Sequence, residues 1–188
     1  MKLSSKLNVC IEGASVYLRP VMLRDAPVIR KWHNDPEIMR MARIGEKKTT
    51  IAEEHTDIRS ARKSDKEAYH IIVKISDNKP IGFLRFIYID RASGNVWLRM
   101  MVGDKQAWGK GFARDAMQTY LKWLFDVIGI HRVSLECYST NKRAIEFYRR
   151  MGFRREGVLR EAVLIDNKYR DIFSFGMLRK DFRSEDGG

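Results

Sequence analysis

The chain has 188 residues, 44% of them hydrophobic and 11% aromatic, which excludes a disordered polypeptide and allows one sizeable core. Lysine and arginine outnumber aspartate and glutamate by 36 to 24, a net charge of +12 that attracts polyanions. No run of about 18 apolar residues occurs, so no membrane span is expected, and two cysteines make no disulfide framework.

In chain order, Val16 to Arg19 reads as a strand ended by Pro20. Asp25 to His33 reads as a helix, with Pro27 tolerated in its first turn, and Asn34-Asp35-Pro36 breaks it. A shorter helix is expected over Glu37 to Met41, then a polar, mobile connection from Ala42 to Lys48. Thr49 to Lys63 reads as a further helix, with Ile51, His55 and Ile58 on one side. Two strands follow, Ala68 to Ile75 and Ile81 to Ile89, joined by the turn cluster Ser76-Asp77-Asn78-Lys79-Pro80. Val96 to Val102 is a strand apolar on both faces apart from Arg99, which must find a partner or reach a cleft. Ala113, Ala116, Met117, Tyr120, Leu121, Leu124 and Ile128 form the apolar stripe of a long helix. His131 to Tyr138 is a strand and Asn141 to Met151 a helix ended by Gly152. Arg154 to Leu164 and Tyr169 to Leu178 pair around Asp166-Asn167, and a disordered tail from Arg183 is expected.

No linker or repeat divides this order. The expectation is one mixed α/β domain over residues 1–188, with its core at about 16–180. The edge offered by the last two strands can support a homodimer. The start of the chain, Met1 to Lys6, lacks the apolar run of a secretory signal, so cytoplasm is the expected location. No Cys/His cluster has metal-ligand spacing, and no metal is expected. Cys137, within an apolar strand, reads as a small buried hydrophobe. The basic run Arg59 to Lys63 lacks interleaved aromatics, so direct nucleic-acid binding is not expected.

Two clusters carry chemistry. In Gln106-Ala107-Trp108-Gly109-Lys110-Gly111-Phe112-Ala113, two glycines separate a buried strand from a long helix. Such a turn lets the backbone approach a ligand closely, and its N–H groups with the helix dipole favour a diphosphate. It is neither a dinucleotide fingerprint nor a Walker loop. In the second cluster, Asn141 and Tyr148 lie seven residues apart, on one helix face and about 10 Å apart along its axis. Asn141 also reads as an N-cap, and Tyr148 as an aromatic with its hydroxyl at the edge of a core.

The two clusters, with a strand between them, resemble the acyl-CoA and C-terminal motifs of the GNAT superfamily of N-acetyltransferases. Val102-Gly103-Asp104-Lys105 leading into Trp108-Gly109-Lys110-Gly111, with Asn141, Ala144, Phe147-Tyr148 and Gly152-Phe153, is particularly similar to the Rim-type branch, which acetylates N-terminal amines of ribosomal proteins. Leu18-Arg19-Pro20 and Trp32-His33-Asn34-Asp35-Pro36 resemble its N-terminal region. The resemblance implies a mixed, mostly antiparallel twisted sheet, flanked by helices, in which two central parallel strands splay apart around acetyl-CoA. It implies that Met101, Val102 and Gly103 offer free backbone groups to the pantetheine arm. Gln106 would close a turn whose amides, Gly109, Lys110, Gly111, Phe112 and Ala113, hold the pyrophosphate. Asn141 would bind the pantetheine region, and Arg143 or Lys142 the adenosine phosphate.

The family implies direct attack by an amine on the thioester, with Tyr148 as the acid that protonates the thiolate. Glu136 precedes Tyr148 by twelve residues, the offset of a base proposed in ribosomal-protein alanine acetyltransferases. On its strand it points away from Val133, Leu135 and Cys137, and a desolvated carboxylate there suits a base. It reads equally as a structural carboxylate paired with an arginine, and a water chain can also carry the proton. Many Rim-type relatives carry an acidic residue and a glycine where this chain has Trp97 and Arg99, which puts transfer of substrate identity in doubt. A protein N-terminal amine, a nucleotide-linked amino sugar, a polyamine and an aminoglycoside all stay open as acceptors. A non-catalytic acyl-CoA-binding module is the reading from another class.

Overall fold

In the computed structural model, residues 6–41 and 48–182 are described. The expected mobile connection from Ala42 falls almost wholly outside them, as does the expected tail from Arg183. Eight strands form one sheet: β1 Ile11–Glu12, β2 Val16–Pro20, β3 Glu67–Lys74, β4 Pro80–Asp90, β5 Asn95–Val102, β6 Arg132–Tyr138, β7 Arg154–Ile165 and β8 Lys168–Leu178. Their order is β1-β2-β3-β4-β5-β6-β8-β7. Only β5 and β6 are parallel neighbours; every other pair is antiparallel. The helices are α1 Ala26–His33, α2 Pro36–Met41, α3 Ile51–Lys63, α4 Phe112–Lys122 and α5 Lys142–Arg150.

Strand alternation sorts the core onto the two faces of the sheet. Ile72, Leu84, Phe86, Val96, Leu98, Val133 and Leu135 pack with α4 and α5 on one face. Tyr69, Ile71, Val73, Phe83 and Met101 pack with α1, α2 and α3 on the other. The single α/β domain, with its mixed sheet between helices, is the architecture the sequence implied. No helix among the described residues is long and apolar enough to cross a membrane.

Two local expectations change. The apolar stripe after the glycine turn does not form one α-helix: α4 ends at Lys122, and Trp123–Ile128 continue as a wider π-type turn closed by Gly129 at φ 83°. On α3 the buried face is Glu54, Ile58 and Ala61, while Ile51 is exposed. Glu54 is drawn inward because its carboxylate meets His33 Nδ1 at 2.7 Å and accepts the Thr49 hydroxyl at 2.6 Å. Burial pushes this carboxyl up, but the hydrogen bonds from His33 and Thr49 outweigh it and hold it below the usual range.

His70 on β3 is fully buried beneath α4, at hydrogen-bond distance from the Tyr120 hydroxyl (3.3 Å) and the Val9 carbonyl (3.1 Å). Trp123 stacks edge-on against it. Burial pushes its imidazole down to about 4, so it is neutral at pH 7.

Candidate active site

β5 and β6 pair only over Asn95–Trp97 and Arg132–Ser134. Beyond those residues the strands part, because β6 continues along β8 and β5 along β4. The gap opens into a cleft of about 1490 Å³ that reaches both faces of the sheet. Tyr148, Ala144 and Phe147 wall it on the α5 side, and α3, with residues of β3 and β4, walls it on the other.

The turn between β5 and α4 stands at one end of this cleft. Gly109 and Gly111 have φ of 74° and 85°, conformations that side-chain-bearing residues rarely adopt, and a Cβ at either would meet nothing within 4 Å. The N–H groups from Gly109 to Ala113 have no protein acceptor among the described residues. Five successive donors are therefore left open at the positive end of α4, a turn suited to a diphosphate. The turn is braced from outside: the Asp104 carboxylate accepts the Gln106 N–H at 3.0 Å, and Lys105 pairs with Asp35 and Glu37 at 2.9 and 2.7 Å.

Asp115, in the first turn of α4, points away from the cradle. Its carboxylate accepts the N–H groups of Ala14, Ser15 and Val16 at 3.0, 2.6 and 3.0 Å, and the Ser15 hydroxyl at 2.6 Å. Burial raises its proton affinity, and these hydrogen bonds more than reverse the effect.

The expectation that Met101, Val102 and Gly103 all offer free backbone groups does not hold. The Gly103 N–H donates to the Ile81 carbonyl at 2.9 Å, and strand alternation then turns the Met101 main chain toward β4 as well. Gly103 is a packing glycine: a Cβ there would stand 2.1 Å from Cγ of Trp32. Of the three, only Val102 turns its main chain toward the gap, and its carbonyl accepts Trp108 Nε1 at 2.8 Å. The side chains of Gln106, Lys110 and Phe112 do not line the cleft; Phe112 packs against the main core.

Asn141 caps α5, its Oδ1 accepting the Ala144 N–H at 3.0 Å, while its Nδ2 donates to the Met41 carbonyl at 2.8 Å. The Arg143 guanidinium lies 4.5 Å from the centre of the Trp108 ring. Trp108 thus links the end of β5 to α5 across the cleft. Sequence reasoning quoted this residue within a motif without giving it work, and its position beside the first glycine of the turn was the available signal.

Tyr148 is buried, with rings of Phe147, Phe153 and Phe175 around it. Among the described residues no group hydrogen-bonds its hydroxyl. Burial, reinforced by Cys137, raises the phenol well above its ordinary value, so it is protonated at neutral pH and available as a donor. Burial also pushes the Cys137 thiol up to about 12, with the Glu136 carboxylate adding to the effect. A thiol held protonated is a poor nucleophile, which favours direct transfer over an acyl-cysteine. Glu136 lines the cleft from the face opposite Tyr148, and its carboxylate accepts the Ser174 hydroxyl at 3.4 Å.

The α3 side of the cleft was not legible in the sequence. Glu53, Glu54 and Asp57 of α3, with His33, wall it, and Tyr69, Phe83 and Trp97 floor it. Arg85 pairs with both Asp57 and Glu67 and lies 5.0 Å from the centre of the Tyr69 ring. Arg99, its cross-strand neighbour, is exposed and does reach the cleft. Among the described residues no group of three or more His, Cys, Asp or Glu could hold a metal ion.

The acetyltransferase (GNAT) domain family matches residues 15–154. The chain belongs to the GNAT family of N-acetyltransferases. An uncharacterized N-acetyltransferase, p20 of Bacillus licheniformis, is 26% identical over 176 residues, which cover 88% of this chain and 93% of the relative. The [ribosomal protein uS5]-alanine N-acetyltransferase of Escherichia coli K12 is 30% identical over 92 residues, covering 48% of this chain and 47% of its own. The spermidine N-acetyltransferase of Vibrio cholerae, solved with CoA and spermine, superimposes with a TM-score of 0.80 at 22% identity, over 89% of this chain and 97% of that one. The GNAT resemblance therefore holds, while its narrowing to the Rim-type branch has support over only about half of the chain.

Proposed function

We propose that this GNAT acetyltransferase moves the acetyl group of acetyl-CoA directly onto a small primary amine. One observation carries the reading: Gly109 to Ala113, whose amides have no protein acceptor among the described residues, stand at one end of a cleft formed where β5 and β6 part, Gly109, Gly111 and Ala113 lining it, and Tyr148 borders the same cleft. The amides fit the pyrophosphate of CoA, and the Arg143 guanidinium on Trp108 stands where it can meet a further phosphate. The complex of the Vibrio cholerae protein with CoA supports the donor, and its spermine supports a small-molecule acceptor.

In this reading the amine approaches from the α3 side. An ammonium ion is favoured there by the wall of Glu53, Glu54 and Asp57, with Glu136 across the cleft. Glu136 takes the proton that the ammonium must lose before its nitrogen can attack. As the C–N bond forms and the C–S bond breaks, Tyr148 gives its proton to the departing sulfur. The two groups line the cleft from opposite faces of the sheet. Cys10 and Cys137 are both free thiols, in keeping with a reducing cytoplasm.

Thiol release from acetyl-CoA, measured across polyamines, aminoglycosides, amino sugars and peptides with free N-termini, tests this. Turnover with a small amine is expected. Acetylation confined to peptide N-termini would overturn the choice of acceptor, and CoA binding without turnover on any amine would overturn the enzymatic reading.

A further inference from the structure

Met41 and Asn141 border the main cleft and also a second cavity of about 240 Å³. It lies between the end of α2, the start of α5 and the turn joining β7 to β8, and its polar walls are Arg40, Thr140, Asp166 and Arg170. Arg40 is exposed and Arg170 half-buried. Neither guanidinium has an ion-pair or hydrogen-bond partner among the described residues. Other arginines along the main cleft are committed: Arg85 to Asp57 and Glu67, Arg150 to Glu146, and Arg143 to the ring of Trp108. Asp166 stands on the hairpin turn at φ 50° and pairs with neither arginine, leaving these walls one net positive charge.

The α3 wall of the main cleft and the walls of the annex therefore differ in charge. The α3 wall of the main cleft is rich in carboxylates, whereas the annex beyond Met41 holds two uncommitted guanidiniums. A polycation long enough to reach from one into the other would meet like charge at its far end. A molecule with an amine at one end and an oxyanion at the other would meet opposite charge at both.

We propose that the acceptor is an amine that also carries a phosphate or carboxylate, received by Arg40 and Arg170 in the annex while the amine lies over the parted strands. This rests on the acetyltransferase reading given above and narrows its acceptor. Planar guanidiniums suit either oxyanion, since both accept paired N–H donors.

The test uses matched amines: glucosamine against glucosamine 6-phosphate, putrescine against 4-aminobutyrate, and spermidine alone. Binding is followed by calorimetry and transfer by thiol release. The anionic member of at least one pair is expected to have the higher kcat/KM. That preference should fall about tenfold or more in R40Q/R170Q, with R40Q and R170Q alone intermediate. Which pair responds separates phosphate from carboxylate. Spermidine bound and acetylated better than both anionic amines, or a preference untouched by the double variant, would overturn the proposal. Arginine-dependent binding of glucosamine 6-phosphate with no transfer to any amine would uphold the annex and reject the acetyltransferase reading. Among the described residues neither side chain has a partner, and neither is buried, so their replacement leaves the fold intact.

Discussion

The two ends of the cleft are built from different material. At the proposed donor end, main-chain amides of five successive residues, fixed by two glycines and one helix start, are left without protein acceptors among the described residues. At the acceptor end, side chains from α1, α3, β3, β4, β5 and β6 converge, and most of their charge is already paired. Main-chain recognition needs only a local conformation, so it suits a donor shared by a whole family. Side-chain recognition depends on which residues stand at distant positions, and it can diverge while the donor end stays constant.

The largest test of this contrast is Tyr148→Phe. Turnover should fall about 10²–10⁴-fold while CoA affinity, proposed above to rest on the amides of the glycine turn, stays close to that of the native protein. Equal losses in both would mean that the two ends are not separable, and unchanged turnover would remove Tyr148 as the acid.

Acid should weaken the support of the donor end first. His70 lies under α4, and its folded value of about 4 is below the unfolded value of about 6.5. Its contribution is complete above pH 6.5 and is lost as the pH falls toward 4, reaching about 3 kcal/mol. Glu54, which ties α3 to α1, is shifted in the direction that keeps it ionised below the ordinary carboxylate range, so that side holds to lower pH. Urea denaturation followed between pH 7 and pH 4 should show this slope in the native protein and lose most of it in His70→Gln.

The smallest effects come from a pair of glycines. Gly111→Ala adds a methyl group into open space but must hold a left-handed backbone, at a cost of about 1–2 kcal/mol, which should appear as weaker CoA binding by calorimetry. Gly103→Ala drives a methyl group into Trp32 and should cost about 1–3 kcal/mol of folding stability, with CoA affinity retained in the folded fraction. The reverse outcome would undo the distinction between a binding glycine and a packing glycine.

The same contrast explains what the sequence made legible. Periodicity located the sheet strands from Val16 onward and the helices because each buries one face, and the glycine turn stood out because its conformation is written locally. The two-residue strand β1 was too short to register as a pattern. Gly103 looked like part of the cofactor motif, yet its reason for being glycine is Trp32, seventy-one positions earlier. The α3 face was misjudged because Ile51 and Ile58 suggested an apolar stripe, whereas the residue turned inward is Glu54, satisfied by His33 from another helix. Arg40 and Arg170 share a cavity only because the β7–β8 turn folds back beside α2, a proximity that no local pattern carries.

Asp115 gives the donor end a reach beyond the cleft. One carboxylate on the first turn of α4 holds three successive amides of the segment entering β2, so the cradle and the first long strand share a joint. A ligand that steadies the start of α4 must steady this joint too, and anything that frees the joint must loosen the ligand by the same factor. Amide hydrogen exchange at Ser15 and Val16 should therefore slow when CoA binds, although those residues contribute nothing to the cleft itself. In Asp115→Asn the exchange should quicken and CoA affinity should fall, making the N-terminal strand a remote reporter of occupancy.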